Sequence, residues 1–448
     1  MNLTPLRHRD VGLLWWAGLI SMTGDWTLRV ALPLAVLRLT GSPAAVSAVV
    51  LAGLAATLII GPVAGGYVDR WDRRRVLVAV YALQVGALLP LLAVTSAGRV
   101  WIVVAVAFVE TTLAQFSGPA ENALLPRLVP VDQLAAANAL NSANNWLARL
   151  AGPALGGLVA ASAGLTGAVL LDAASYALAA VLCAAIRGRH RAVVVRPAGS
   201  PGRELAAGVR AVCRDRIARA VLVFGTLIGI GEGMMLTLFA VYVTDALRAG
   251  ARELGWLLAA QAVGGIVGAL VATRVRGAGR LRPVTLATWC FVLFGLGDLV
   301  IFNYPRWDAA VWPVVVLFFL IGIPGAIGYP VLVTLFQLRI PDALRGRGFA
   351  ALSVSQAAAG MLGAALAGAL GDRVPVMDLL TAQGAGYLLA GVLLRMLAGR
   401  GPDTLADEAP RTLADESPRA PADESPRALA DDPERGRVRR DTASARLT

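Results

Sequence analysis

The 448-residue sequence contains no lysine, so all 41 of its basic residues are arginine. That absence excludes a Walker-type nucleotide site, whose lysine lies against the phosphates. It also excludes Schiff-base and lysine-general-base chemistry. The only histidines are His8 and His190, both in polar segments. A histidine metal site or a membrane-buried histidine relay is therefore not expected. Cys183, Cys213 and Cys290 are the only cysteines. Their scatter forms no disulfide framework, which fits a bacterial inner membrane with a reducing cytosolic face. Charge is scarce too, at 16% of residues, against 57% hydrophobic residues and a mean hydropathy of +0.66. No water-soluble fold needs so much apolar sequence, and the chain reads as a polytopic membrane protein. With no metal cluster, nucleophile motif or paired catalytic carboxylates, neither an enzyme nor a cofactor is expected.

What is present is a series of apolar runs near the twenty residues that span a bilayer. They form two sets of six, one from Val11 to Ile186, with its fourth run at Val100–Ser117, and one from Ala220 to Leu397. The sequence thus predicts an all-α membrane protein with twelve transmembrane helices. Residues 1–186 form an N-terminal six-helix bundle and residues 220–398 a C-terminal one. Residues 187–219 are a basic cytoplasmic linker, with a short amphipathic stretch near Glu204–Val212. Residues 399–448 repeat an octapeptide theme (Thr412–Arg419 TLADESPR, Ala420–Arg427 APADESPR, Ala428–Arg435 ALADDPER) and are expected to be a disordered cytoplasmic tail. Placing both termini in the cytosol puts twenty-four arginines in inner segments before the tail, against six in outer loops. That asymmetry decides the orientation and explains the basic loops without nucleic acid. A Pro/Asp turn follows the fourth span (Pro130-Val131-Asp132) and the tenth (Pro341-Asp342), as duplicated halves around a central site would give.

The loop after the second span reads Gly65-Gly66-Tyr67-Val68-Asp69-Arg70-Trp71-Asp72-Arg73-Arg74-Arg75. It resembles the G-x-x-x-D-R-x-G-R-R signature of the major facilitator superfamily, with Asp72 where the usual pattern has glycine. The fifth span carries Gly152-Pro153-Ala154-Leu155-Gly156-Gly157, which resembles the core of that superfamily's antiporter motif, with Ala148 replacing its upstream glycine. Gly24-Asp25-Trp26, Ala31-Leu32-Pro33-Leu34, Ala123-Leu124-Leu125-Pro126-Arg127-Leu128-Val129-Pro130 and Leu171-Asp172 are similar to the branch of macrolide-efflux and enterobactin-exporter proteins. The resemblance covers residues 1–398. It implies the major facilitator fold and a loop that latches the two halves on the cytoplasmic side, with Gly65, Asp69, Arg70, Arg73 and Arg74 in the gate. Asp69 is expected to face the helix start near Gly346–Phe349, and the arginines to pair with carboxylates at the same seam. The matching stretch Gly268–Arg274 lacks the acid, so the latch is one-sided.

Ionisable groups inside spans default to functional hypotheses. They are Asp25, Arg29, Glu110, Arg149, Asp172, Glu232 and Asp298, five acids against two bases. An acid protonated in some state, or a bound cation, is expected to relieve that imbalance. Asp25 and Arg29 share one face, and Asn138, Asn141, Asn145 and Arg149 form a polar stripe that must face the interior. Asp25 or Glu110 is expected to neutralise Arg149. The proton and substrate pathway is assigned to Asp25, Arg29, Glu110, Asn141, Asn145, Arg149, Glu232 and Asp298. Gly322, Pro324, Gly325, Gly328 and Pro330 are expected to interrupt the tenth span.

The resulting expectation is a monomeric, multi-pass transporter of the bacterial plasma membrane. It takes protons as coupling ion and exports a hydrophobic or amphipathic small molecule such as a drug, an antibiotic or a secondary metabolite. The alternatives are a siderophore or lysophospholipid carrier and, from another class, a non-transporting membrane receptor.

Overall fold

The computed structural model describes residues 4–68, 70–188, 201–277 and 282–399. Asp69, the octapeptide tail and linker residues 189–200 lie outside the described residues. Among the described residues the chain is helical throughout. The first six long helices are α1 (Arg9–Thr40), α2 (Pro43–Val68), α3 (Arg73–Leu88), α4 (Val100–Leu124), α5 (Leu134–Ser162) and α6 (Gly164–Ala184). A shorter α7 (Pro201–Arg214) precedes the second six. These are α8 (Arg216–Val241), α9 (Ala251–Gly277), α10 (Pro283–Asn303), α11 (Val311–Arg339), α12 (Asp342–Leu370) and α13 (Val376–Ala398). Ten helical segments are long and apolar enough to cross a membrane. The two other long helices, α1 with 32 residues and α5 with 29, carry the interior charges and amides that lower their hydropathy.

Helix boundaries follow local chemistry. Asp215 caps α8, its carboxylate accepting the Ala218 N–H at 2.7 Å. Gly41 ends α1 in the left-handed conformation at φ 66° and donates to the Leu37 carbonyl. The repeated turn is built alike in both halves. The Pro130 carbonyl accepts from Gln133 N–H at 3.0 Å and the Pro341 carbonyl from Leu344 N–H at 2.8 Å.

Two expectations about helix ends need correction. The tenth span is not interrupted: α11 runs unbroken through Pro324 and Pro330. Its glycines instead serve close packing. A β-carbon at Gly322 would crowd the backbone of Gln261 and Gly265 on α9, and one at Gly328 would lie 2.8 Å from Cys290 Cβ on α10. In an apolar surround a broken backbone must find other hydrogen-bond partners, so a continuous helix is favoured unless a cavity needs those groups. The fourth span does not stop near Ser117 either. The helix passes Pro119 and runs to Leu124, which places Glu121 and Asn122 inside it.

Within the first six helices α1 packs on α5 and α6, α2 on α4, and α3 on α4 and α6. Within the second six, α8 packs on α12 and α13, α9 on α11, and α10 on α11 and α13. The two sets meet along α5 with α9 and α2 with α12. Small residues make that seam. A β-carbon at Gly157 would lie 2.6 Å from the Ala251 carbonyl oxygen, and one at Gly255 would lie 3.0 Å from Gly157 Cα. Ser47 Oγ donates to the Ala364 carbonyl at 2.6 Å. Such a bond contributes only about 0.6 kcal/mol between membrane helices, so close backbone approach does more to hold the seam. These contacts lie at the end of the bundle remote from the start of α1 and the end of α13.

Replacing Gly157 with leucine should leave membrane insertion intact but overpack this seam by about 1–3 kcal/mol. That is enough to deplete the packed arrangement about fivefold or more. Spin labels at Ala163 and Arg252 should then report a longer, broader distance distribution. An unchanged distribution would show that the seam does not depend on this contact.

Candidate functional site

A polar cavity of about 290 Å³ lies among α1, α3, α4, α5 and α6, lined in part by Asp25, Tyr81, Glu121, Asn141, Asn145 and Tyr176. Asp25 accepts a hydrogen bond from the Tyr176 hydroxyl. Gln84 Nε2 donates to that hydroxyl at 2.9 Å and to Glu110 Oε2 at 3.1 Å. Asp25, Tyr176, Gln84 and Glu110 therefore form one connected chain across four helices. Gly24 is what lets α6 approach so closely. A β-carbon there would collide with Ser175 and Asp172. Asp172 is itself buried, and accepts from Ser175 Oγ at 3.3 Å.

Arg29, Arg149 and Glu232 sit at mid-helix in α1, α5 and α8, yet all three side chains are exposed. Each lies within electrostatic reach of the other two. They line the space between the two sets of helices. The Arg29 guanidinium stands 4.9 Å from the Trp26 ring centroid, and that of Arg149 stands 5.3 Å from Trp26 and 5.8 Å from Trp146. An arginine over an indole face gains about 0.5–1 kcal/mol at an exposed site. The expected neutraliser of Arg149, Asp25 or Glu110, is corrected here. The carboxylate that acts on it is Glu232 from the opposite set, because Asp25 and Glu110 are turned toward Tyr176 and Gln84.

In the second six helices, Tyr387 of α13 lies within reach of Glu232. Gln383 Nε2 donates to Asp298 Oδ2 at 3.2 Å. Asp298, Gln383 and Tyr387 are buried.

The arrangement suits passage of a solute between two helical sets, and comparison with known proteins identifies the class. Residues 1–437 match the family described as transmembrane secretion effector. The chain belongs to that family, within the major facilitator superfamily. It is 31% identical over 379 residues to the multidrug efflux pump Tap of Mycobacterium tuberculosis, covering 80% of this chain and 86% of that one. It is 26% identical to the enterobactin exporter EntS of Shigella boydii, covering 89% and 94%. A solved bacterial homologue of the iron transporter ferroportin, in an inward-facing state, shares the fold with a TM-score of 0.71 at 18% identity, over 89% of this chain and all of that one. A POT family transporter in complex with 5-aminolevulinic acid gives 0.70 at 13% identity, over 87% and 96%. The protein is thus a multi-pass membrane efflux transporter with the major facilitator fold.

In this transporter the glycines of the fifth-span motif have separate tasks. Gly152 admits Trp26 and the Thr23 carbonyl, Gly156 admits the Thr27 backbone, and Gly157 faces α9. Pro153 is buried among them, and Thr27 Oγ1 donates to the Gly152 carbonyl at 3.2 Å. The motif therefore wedges α5 between α1 and α9. The signature loop is only partly as expected. Asp69 lies outside the described residues, Gly65 falls near the close of α2, and the Arg70 guanidinium stands 6.0 Å from the Tyr67 ring centroid. Arg73 is buried. Arg74 does not reach across the seam to a carboxylate. Its Nε donates to the Cys183 carbonyl at 3.2 Å and its Nη2 to that of Ala184. The last carbonyls of a helix lack partners and carry partial negative charge, so the end of α6 is the nearer acceptor. Asp72 is explained as well: it caps α3, accepting the Arg75 N–H at 3.1 Å.

Sequence reasoning missed Glu121, Tyr81, Gln84, Tyr176, Gln383 and Tyr387. Glu121 was lost to the early helix end set near Ser117. The tyrosines and glutamines carry no formal charge and gave no signal until their partners were placed.

Because Asp72 acts as a helix cap, Asp72→Ala should destabilise the detergent-solubilised protein by about 1 kcal/mol, while Asp72→Gly costs roughly a few tenths. Thermal unfolding of the two variants checks this. Equal losses would show that the cap is not what the aspartate supplies.

Proposed function

We propose that the transporter exports a hydrophobic or amphipathic small molecule across the bacterial plasma membrane, driven by proton influx, with both termini in the cytosol. The observation that carries the coupling is the connected chain from Asp25 through Tyr176 and Gln84 to Glu110, which opens on the polar cavity. Around it, the spans hold six acids (Asp25, Glu110, Glu121, Asp172, Glu232, Asp298) against Arg29 and Arg149. A membrane interior does not tolerate that surplus of negative charge uncompensated. Protons are the compensating ions that need no dedicated ligand cage.

In this reading the cavity binds substrate while it faces the cytosol. The seal at the Gly157–Gly255 and Ser47–Ala364 contacts is the closed outer gate. Arg29, Arg149 and Glu232 line the route between the halves, and the loop at Gly65, Asp69, Arg70, Arg73 and Arg74 closes the inner gate when the halves rock. Asn141 and Asn145 offer amides that accept and donate toward substrate. The multidrug efflux pump Tap supports a drug-like substrate. A second reading, a siderophore as cargo, is supported by the enterobactin exporter EntS. The transporter works as a monomer.

Uptake of ethidium, lipophilic antibiotics and a catecholate siderophore into inverted vesicles, with and without an imposed pH gradient, tests the reading. At least one compound should accumulate and be released by a protonophore. Asp25→Asn and Glu110→Gln should each lower that accumulation about tenfold or more, as loss of a group acting at about 1.4 kcal/mol or above would. Asp69→Asn should lower turnover with little change in half-saturation. Gradient-independent movement of every compound would overturn proton coupling.

A further inference from the structure

The two halves repeat more than a fold. Asp25 lies sixteen residues after Arg9, the first residue of α1, and Glu232 lies sixteen residues after Arg216, the first of α8. A glycine precedes each acid, and each glycine faces the sixth helix of its own half. Gly24 faces Asp172 and Ser175, and a β-carbon at Gly231 would lie 3.2 Å from Gln383 Cγ and 3.4 Å from Tyr387 Cζ. A tyrosine of that sixth helix stands beside the acid in both cases: Tyr176 hydrogen-bonds Asp25, and Tyr387 lies within reach of Glu232. A buried glutamine then stands by the tyrosine and a second acid. In the first half Gln84 joins Tyr176 to Glu110. In the second, Gln383 Nε2 donates to Asp298 Oδ2 at 3.2 Å, and Tyr387 lies within reach of the same amide. The glutamine comes from α3 in one half and α13 in the other, so the chemistry recurs although the helix that supplies it does not.

A second observation points to what these chains hold. Gln84 and Gln383 are 2% and 4% exposed, and each leaves its Oε1 without a hydrogen-bond donor. A buried acceptor left unpaired destabilises the fold. Turning the amide over offers Oε1 to the neighbouring carboxyl, and only a protonated carboxyl can donate to it. Each glutamine can thus serve its acid in both protonation states, by N–H to a carboxylate or by carbonyl to a carboxylic acid.

We propose that the transporter has two proton-binding sites, one in each half: Asp25–Tyr176–Gln84–Glu110 and Glu232–Tyr387–Gln383–Asp298. This rests on the proton-coupled reading above and gives it two sites, where one would suffice. Each chain takes one proton from cavity water and returns it there, so that its carboxyl pair alternates between two negative charges and one. The groups facing the first site are Arg29 of α1, Tyr81 of α3, Glu121 of α4 and Asp172 of α6, with the Asn141 and Asn145 amides of α5. Those facing the second are Arg29 of α1 and Arg149 of α5. The second site thus meets two arginines from the opposite half, so its charge state bears directly on the attraction between the halves.

Infrared titration of the purified full chain in lipid nanodiscs tests this without a substrate. The protonated-carboxyl stretch should contain two separable components. Asp25→Asn should remove one and Glu232→Gln the other. Tyr387→Phe keeps the carboxyl and should shift only the component that Glu232→Gln removes, as Tyr176→Phe should for its partner. A band unaltered by both Glu232→Gln and Tyr387→Phe overturns the second site. Vesicle transport separates the two ideas. Gradient-driven transport with that unaltered band sinks the second site alone. Two responsive components with no gradient-driven transport of any compound sink the coupling and leave the sites standing.

Discussion

The hydrocarbon interior offers no hydrogen bonds, and the rest of this structure follows from that constraint. Each backbone group must be satisfied within its own helix, which keeps α4 and α11 continuous through their prolines. Interior polar side chains gain most by finding partners inside the bundle. Asn144 therefore donates to the Trp15 carbonyl at 2.9 Å, Trp15 Nε1 to the Leu140 carbonyl at 3.0 Å, and Tyr242 to the Ile301 carbonyl at 2.7 Å. The hydrophobic effect cannot drive these helices together, since lipid is as apolar as leucine. Packing of small residues takes its place.

Small residues then decide where the molecule can move. Within a half, Gly152, Gly156 and Gly24 lock α1 against α5 and α6. Between the halves, Gly157, Gly255, Gly368 and Gly371 make contacts by backbone and short side chains alone. Such surfaces have little interdigitation to undo, so one rigid set of helices can separate from the other without repacking its core. The polar chains behave in the opposite way. They cross-link helices within one half, while the charges of Arg29, Arg149 and Glu232 act across the seam. A change of charge near mid-membrane is thereby connected to the one surface that can open.

The signature loop shows how a family pattern is adapted locally. Asp72 departs from the usual glycine and supplies the cap that starts α3, while Arg74 closes the end of α6. Both tie the loop to its own half. Any gating by this loop therefore moves with α3 and α6 as one body.

The sequence by itself determined the class, the number of long helices, the repeated Pro/Asp turn and the positions of Asp25, Arg29, Glu110, Arg149, Glu232 and Asp298. These are legible because each is a property of one segment: apolar length, turn chemistry, or a charge where lipid forbids one. The tertiary structure decided who meets whom. It set Arg149 within electrostatic reach of Glu232, gave Asp25 to Tyr176, brought Glu121 into the cavity, and set Gln84 against Glu110 and Gln383 against Asp298. None of these could be read from spacing, because helical periodicity fixes which residues share a face and says nothing of which helix that face will meet. That choice rests on close packing at glycines tens to hundreds of residues away, and only the folded bundle brings them together.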